Sequence, residues 1–311
     1  MKYYTKEWCA LCDKCGYQYD LTPSPSAKRK SESFFQSLYA RKLEESLEAA
    51  EALSKITAEA LFGAEPETLT TMDDDGNVQD LADTMDPEEY RRMMDKHRRR
   101  RAALLRDYRP QPFDRAAKTA QFRAEWEATM AELSAVLPQK ILDQVADLRV
   151  LALGVCTREV KRDIARFCKE NEARVEKANL DYADLLERKQ NRYPDEMMEH
   201  YGFQDCVVTG LEWRGTDLIL RLDNEKSYCE VNTVIWRQAE ILEEEPGLVG
   251  SEWLREEIYP EEGGFAFHNL LETEDKTPIY FTLRAAGVDF VFDAPTEAEA
   301  APEQEERGTE R

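Results

Sequence analysis

Histidine is the scarcest chemically useful residue in the chain, with three in 311 positions. So few imidazoles leave little room for histidine-based proton transfer or metal ligation. Also missing are a glycine-rich phosphate loop, a serine-centred nucleophile elbow and a paired-histidine zinc helix. No apolar run exceeds the seven residues of Val150–Cys156, against the roughly 20 that span a bilayer. The opening Met1-Lys2-Tyr3-Tyr4-Thr5-Lys6-Glu7 has no apolar stretch of the kind a secretory leader carries. Basic side chains are outnumbered, 42 against 64 acidic, for a net charge of −22. That balance opposes general binding to nucleic acid or to an anionic membrane. Seven cysteines, an odd number, fit a reducing cytoplasm better than a disulfide framework. What is present, 42% hydrophobic and 10% aromatic residues, suffices to bury a core. At about 150 residues per domain the length suggests two domains. The expectation is an acidic, soluble, cytoplasmic protein.

Periodicity changes near position 200. Before it, apolar residues recur at helical spacing, most clearly Val160, Ile164, Phe167, Asn171, Val175, Ala178, Tyr182 and Leu185. Thr157 is placed to cap that helix, and Pro194 to stop it. Similar stripes are Phe122, Trp126, Met130, Leu133 and Leu137, and Phe35, Leu38, Tyr39, Leu43, Leu47 and Ala50. Asp86-Pro87-Glu88-Glu89 reads as the start of a fourth helix. After position 200 the pattern alternates, as in Leu218, Leu220 and Leu222, with further strands expected at 205–213, 227–241, 264–272, 278–284 and 288–292. Residues 251–258 read as a helical interruption ending before Pro260. The reading is an α+β chain: a helical region over 1–200, a small antiparallel β domain over 201–294, and a disordered acidic tail over 295–311. Positions 201–294 hold 20 acidic and 7 basic residues.

Four motifs invite a chemical reading. Cys9, Cys12 and Cys15, followed by Gly16, have the shape of a zinc knuckle, but zinc wants four ligands and no second Cys or His pair follows at ribbon spacing. The weightier reading is a helix with Trp8, Leu11, Cys12 and Cys15 on one buried stripe and Gly16 as its stop; His200, Cys206 or Cys229 would be needed to complete a metal site. Residues 91–109 carry nine basic side chains, a grip for phosphate or, more simply, a solvated helix face with Met93, Met94, Leu104 and Leu105 inward. Asp73-Asp74-Asp75-Gly76-Asn77 is similar to a calcium loop, yet aligning its glycine puts Thr71 and Ala82 where carboxylates belong, so a turn is the better reading. His97 belongs on a helix surface and His200 near the boundary. His268 lies on a strand face with Ala266 and Leu270, where Glu256, Glu257 and Tyr259 could assist it as an acid–base group.

Three segments resemble a bacterial family of unknown function, number 4085 in the domain-of-unknown-function series. They are Met1 to Trp8, Asp147 to Gly154, and Trp253 to Pro260 followed by Gly264 to His268. Cys9 and Cys15 stand where the resemblance carries other residues, which weighs further against zinc. The resemblance implies a bacterial, cytoplasmic protein and no particular activity. Two functions are carried forward. The first is a non-catalytic binding protein of inhibitor or immunity type, without cofactor, whose acidic β domain meets a basic protein or the chain's own basic helix, with neither membrane nor nucleic acid as partner. The alternative is a hydrolase using His268 with Glu256 or Glu257.

Overall fold

The computed structural model describes residues 1–63, 68–72, 78–227 and 229–292. The Asp73–Asn77 segment and the tail from 293 lie outside them. Two compact units form, one from Gly16–Cys168 and one from Met1–Cys15 together with Lys169–Arg311.

The Gly16–Cys168 unit is mainly helical. It holds α2 (Glu32–Ser54), α3 (Ala58–Phe62), α4 (Pro87–Asp107), α5 (Arg115–Val136), α6 (Gln139–Leu142) and α7 (Leu148–Leu151), with α1 (Lys6–Cys12) belonging to the other unit. The short strands β1 (Thr22–Pro23) and β4 (Val155–Cys156) pair in parallel, and β2 (Thr70–Met72) pairs with β3 (Val78–Asp80). Side-chain caps fix where the helices start: Ser31 accepts from the Phe34 amide, and Asp114 from the amides of Ala116 and Ala117. The expected stripes reach the interior at Leu38, Leu133, Leu137 and Val160. α8 (Arg158–Lys189) begins in this unit, capped by Thr157, whose hydroxyl accepts from the Val160 amide at 3.2 Å. It gives way to a 3₁₀ turn at Gln190–Arg192 before Pro194, because the residue preceding proline is pushed out of the helical region.

The other unit contains α9 (Asp195–His200) and a single eight-stranded sheet. Its strands are β5 (Val207–Arg214), β6 (Asp217–Asp223), β7 (Val231–Arg237), β8 (Glu240–Glu244), β9 (Glu252–Glu261), β10 (Gly264–Glu272), β11 (Pro278–Ala285) and β12 (Gly287–Phe292). All pairings within it are antiparallel, in the order β12-β7-β6-β5-β9-β10-β11-β8. The fold class is therefore α+β, with a sheet larger than the small one expected. Trp236 on β7 lies with its ring 6.2 Å from Phe267 on β10 and 5.9 Å from Phe281 on β11. Strands far apart in the order thus meet across a core that also buries Phe203 and Trp253 completely.

Two strand readings are corrected. The single strand expected over 227–241 is two, β7 and β8, separated at Gln238, whose φ of 50° turns the chain. The helix expected over 251–258 is β9. Leu271 opposes Trp253 while Leu270 opposes Arg255, so Leu254 is an extra, bulged residue. A bulge reverses the in–out parity, which puts Trp253 and Glu256 on one face at a three-residue spacing. That spacing imitates a helix.

β9 has a second peculiarity. It meets β5 only near its start, at Val207↔Glu252. Further along, side chains replace the missing neighbour: the Ile258 amide donates to the Tyr182 hydroxyl and the Tyr193 hydroxyl donates to the Ile258 carbonyl, both at 2.9 Å. Pro260, which has no N–H to satisfy, suits the same open side. Gly264 is required at the next turn, since a Cβ there would lie 2.1 Å from the Ala285 carbonyl oxygen.

Replacing Tyr182 by Phe removes the acceptor of a buried amide. The expected loss is about 1–3 kcal/mol of unfolding free energy, measured by urea denaturation. A variant as stable as the parent would show that the seam does not depend on this hydroxyl.

Candidate functional site

The β9–β10 ladder sets the geometry. Glu257 opposes His268 and Glu256 opposes Asn269, so strand alternation sends the two glutamates to opposite faces. The three candidate catalytic residues are therefore divided: His268 and Glu257 share one face, and Glu256 lies on the other.

On the first face Glu257 is fully buried. Its carboxylate accepts the main-chain amides of Lys2 at 2.8 Å and of Tyr3 and Tyr4 at 2.7 Å, and the hydroxyl of Tyr259 at 2.5 Å. Four donors on two oxygens commit its lone pairs to the bent backbone of Lys2–Tyr4 and to the Tyr259 hydroxyl. His268 is half-buried, its ring edge-on to Tyr259 with centroids 5.4 Å apart. Its Nδ1 lies 3.5 Å from the Met1 amine. Burial, then the positive charge of that amine, lower its pKa against the opposing pull of Glu257 and Glu261, so the ring is kept neutral.

The same face holds the next residues of the N-terminal segment. The Lys6 amide donates to the Tyr280 hydroxyl at 2.8 Å, and its ammonium reaches Glu245 at 2.6 Å while lying over the Tyr280 ring. Burial would raise Glu245, but hydrogen bonds from Lys6 and the Tyr280 amide outweigh it and hold the carboxyl below its ordinary range. Tyr4, the one buried side chain of the segment, packs its ring against Trp8 and Tyr182 at 5.0 and 5.3 Å.

On the second face Glu256 accepts from the Trp253 indole N–H at 2.8 Å. Burial pushes its carboxyl up to about 7. Beside it the Tyr201 hydroxyl donates to Asn269, whose amide donates to the Phe281 carbonyl, all inside the aromatic core.

The cysteines differ from expectation in detail. α1 ends at Cys12 with Asp13 as cap, so Cys15 lies beyond it and Gly16 is not the stop. Cys12 and Cys15 are half-buried rather than buried. Burial first, then neighbouring Cys9 and Cys15, push the Cys12 thiol up to about 11, which disfavours the thiolate a metal takes. Among the described residues no three His, Cys, Asp or Glu side chains converge on a metal position. His200 is set against the rings of Phe290 and Phe292, Cys206 is fully buried, and Cys229 accepts from the Val231 amide. On α4, Met94 is buried and His97 exposed, whereas Leu104 faces solvent instead of the interior. The basic residues there engage local groups, including Arg98 with Asp95, Arg106 with Asp107 and Arg101 with the Gly63 carbonyl.

An α+β chain with this antiparallel sheet has its family shown by its sequence. The profile described as "Protein of unknown function (DUF4085)" matches residues 116–281, more than half the chain, and the chain belongs to that family. The match includes the Asp147–Gly154 and Trp253–His268 segments and leaves Met1–Trp8 outside. No curated protein and no solved structure matches the chain. No helix among the described residues is long and apolar enough to cross a membrane.

The two neighbouring glutamates give opposite expectations. Glu256 sits near 7 folded against an ordinary 4.5, so its contribution is intact below about pH 4.5 and lost as pH rises through 7. Glu256→Gln should therefore stabilise the protein by about 2 kcal/mol at pH 8 and change little at pH 4. Glu257→Gln turns an NH₂ toward amide donors and should cost about 2–3 kcal/mol. Thermal or urea unfolding across pH reads both; equal effects would refute the two-face assignment.

Proposed function

We propose that the chain is a non-catalytic binding protein whose acidic β unit holds a cationic protein partner, as an inhibitor that masks a basic surface does. The observation that supports this reading is β8, which ends the sheet beside β11 and exposes Glu240, Glu243 and Glu244. An edge strand offers unpaired main-chain groups; its carboxylates repel most strands and admit a basic one. The arrangement around His268 supports it from the other side, because Glu257 is committed to amides and Glu256 faces away. A bacterial cytoplasm is the setting this reading takes from the family resemblance, and it needs no cofactor.

Titration against a panel of purified basic proteins at low salt tests it. At least one complex is expected to form, to weaken as salt rises toward physiological strength, where charges are screened over about 8 Å, and to weaken about tenfold when Glu240, Glu243 and Glu244 are all changed to Lys. Absence of any complex, or one indifferent to both changes, overturns the proposal.

A further inference from the structure

The turn from Cys12 to Cys15 has a geometry that does more than end a helix. α1 stops at Cys12 and the chain winds on more tightly. The Lys14 amide donates to the Leu11 carbonyl at 3.0 Å, and the Cys15 amide to the Cys12 carbonyl at 3.2 Å. Bonds of this three-residue span are those of a 3₁₀ turn, in which side chains at i and i+3 eclipse one another. A rise of about 2 Å per residue sets the two Cα atoms about 6 Å apart, inside the roughly 4.4–6.8 Å that a disulfide bridges. Cys9 and Cys12 are also three residues apart, but they lie on α1 itself, where such side chains diverge by about 60°.

The reduced turn is ready to close. The Cys15 thiol donates to the Leu11 carbonyl at 3.2 Å. The Lys14 amide also serves that oxygen, so the sulfur can swing toward Cys12 without orphaning an acceptor. Both thiols are half-buried, which admits a small oxidant. Burial, and after it the neighbouring Cys9 and Cys15, keep the Cys12 thiol protonated. A thiol that gains little by ionising stabilises the reduced pair little, which favours the bridge at equilibrium. Cys15 is also the last residue of the N-terminal segment before the chain passes to the helical unit at Gly16.

We propose that Cys12 and Cys15 form a reversible modification site, a dithiol that a peroxide oxidises to a disulfide. One sulfur, as thiolate, attacks the peroxide; the O–O bond breaks, leaving a sulfenic acid and one water. The other thiolate attacks that sulfur, the S–S bond forms, the S–O bond breaks, and the departing hydroxide takes a proton to become a second water. Two thiols thus lose two electrons and two protons, and hydrogen peroxide becomes two waters. The bridge fixes the turn by which the chain leaves the β-containing unit. A transient bridge of this kind is what a reducing compartment holds. The site is independent of the cationic-partner reading.

The intact, folded chain is treated with hydrogen peroxide, its remaining thiols are alkylated, and the products are mapped by peptide mass spectrometry. The expected product is lighter by two hydrogen atoms, joins Cys12 to Cys15, and returns both thiols on treatment with dithiothreitol. Its formation is expected to quicken about tenfold per pH unit above neutrality, because the thiolate is the attacking species. Cys9→Ser is expected to leave the yield unchanged, and Cys15→Ser to abolish the bridge and leave Cys12 as a thiol or an oxygen acid. A bridge from Cys12 to Cys9 or to any other cysteine overturns the proposal. So does a rate indifferent to pH, or accumulation of sulfinic and sulfonic acids with no bridge. Should a variant not fold, the parent alone decides, since absence of the Cys12–Cys15 bridge in it is sufficient refutation.

Discussion

Past Trp253, β9 has a neighbouring strand on one side only, and much of the β unit is arranged around that constraint. An unpaired main-chain group inside a core costs as much as a lost hydrogen bond. The Tyr182 and Tyr193 hydroxyls meet the cost at Ile258, which ties the end of α8 and the turn before α9 to the sheet. Tyr182 also receives the Tyr4 ring, so the residue that completes the strand edge also seats the N-terminal segment. Its phenol is held neutral by burial, which raises its pKa, and a neutral hydroxyl is what an amide donor and an aromatic neighbour both accept.

Charge is handled differently at each depth. Positions 201–294 carry a net −13, and such self-repulsion burdens a compact domain unless the charges are dispersed or used. At the rim, Arg237 bridges Asp217 and Asp289, and Arg284 meets Glu261. These pairs are exposed and contribute little each. In the interior, Glu257 is solvated by peptide groups and Glu256 by a single indole. Two adjacent residues of one type thus differ because one faces donors and the other faces rings.

Much of the fold was legible because most elements are regular. The α8 stripe, its Thr157 cap and its end before Pro194 follow from spacing and backbone sterics, and β10 was bounded by turn residues. β9 was not, since the bulge at Leu254 breaks the alternation that marks a strand. Losing β9 hid the opposition of Glu257 and His268, which depends on register rather than on sequence distance. The Lys2–Tyr4 contacts left no local trace either, since main-chain donors have no sequence signature.

The clamp at Glu257 also bears on the order of assembly. Tyr4 and Glu257 are 253 positions apart, and the carboxylate sits on a strand whose own pairing partner follows it in the chain. In ribosomal synthesis the segment therefore emerges early and has no binding face until β10 and β11 exist. Closing so long a loop is entropically costly on its own, and becomes worthwhile only after the sheet has condensed. Docking of the first residues is then a late step, one that reports completion of the β unit rather than guiding it.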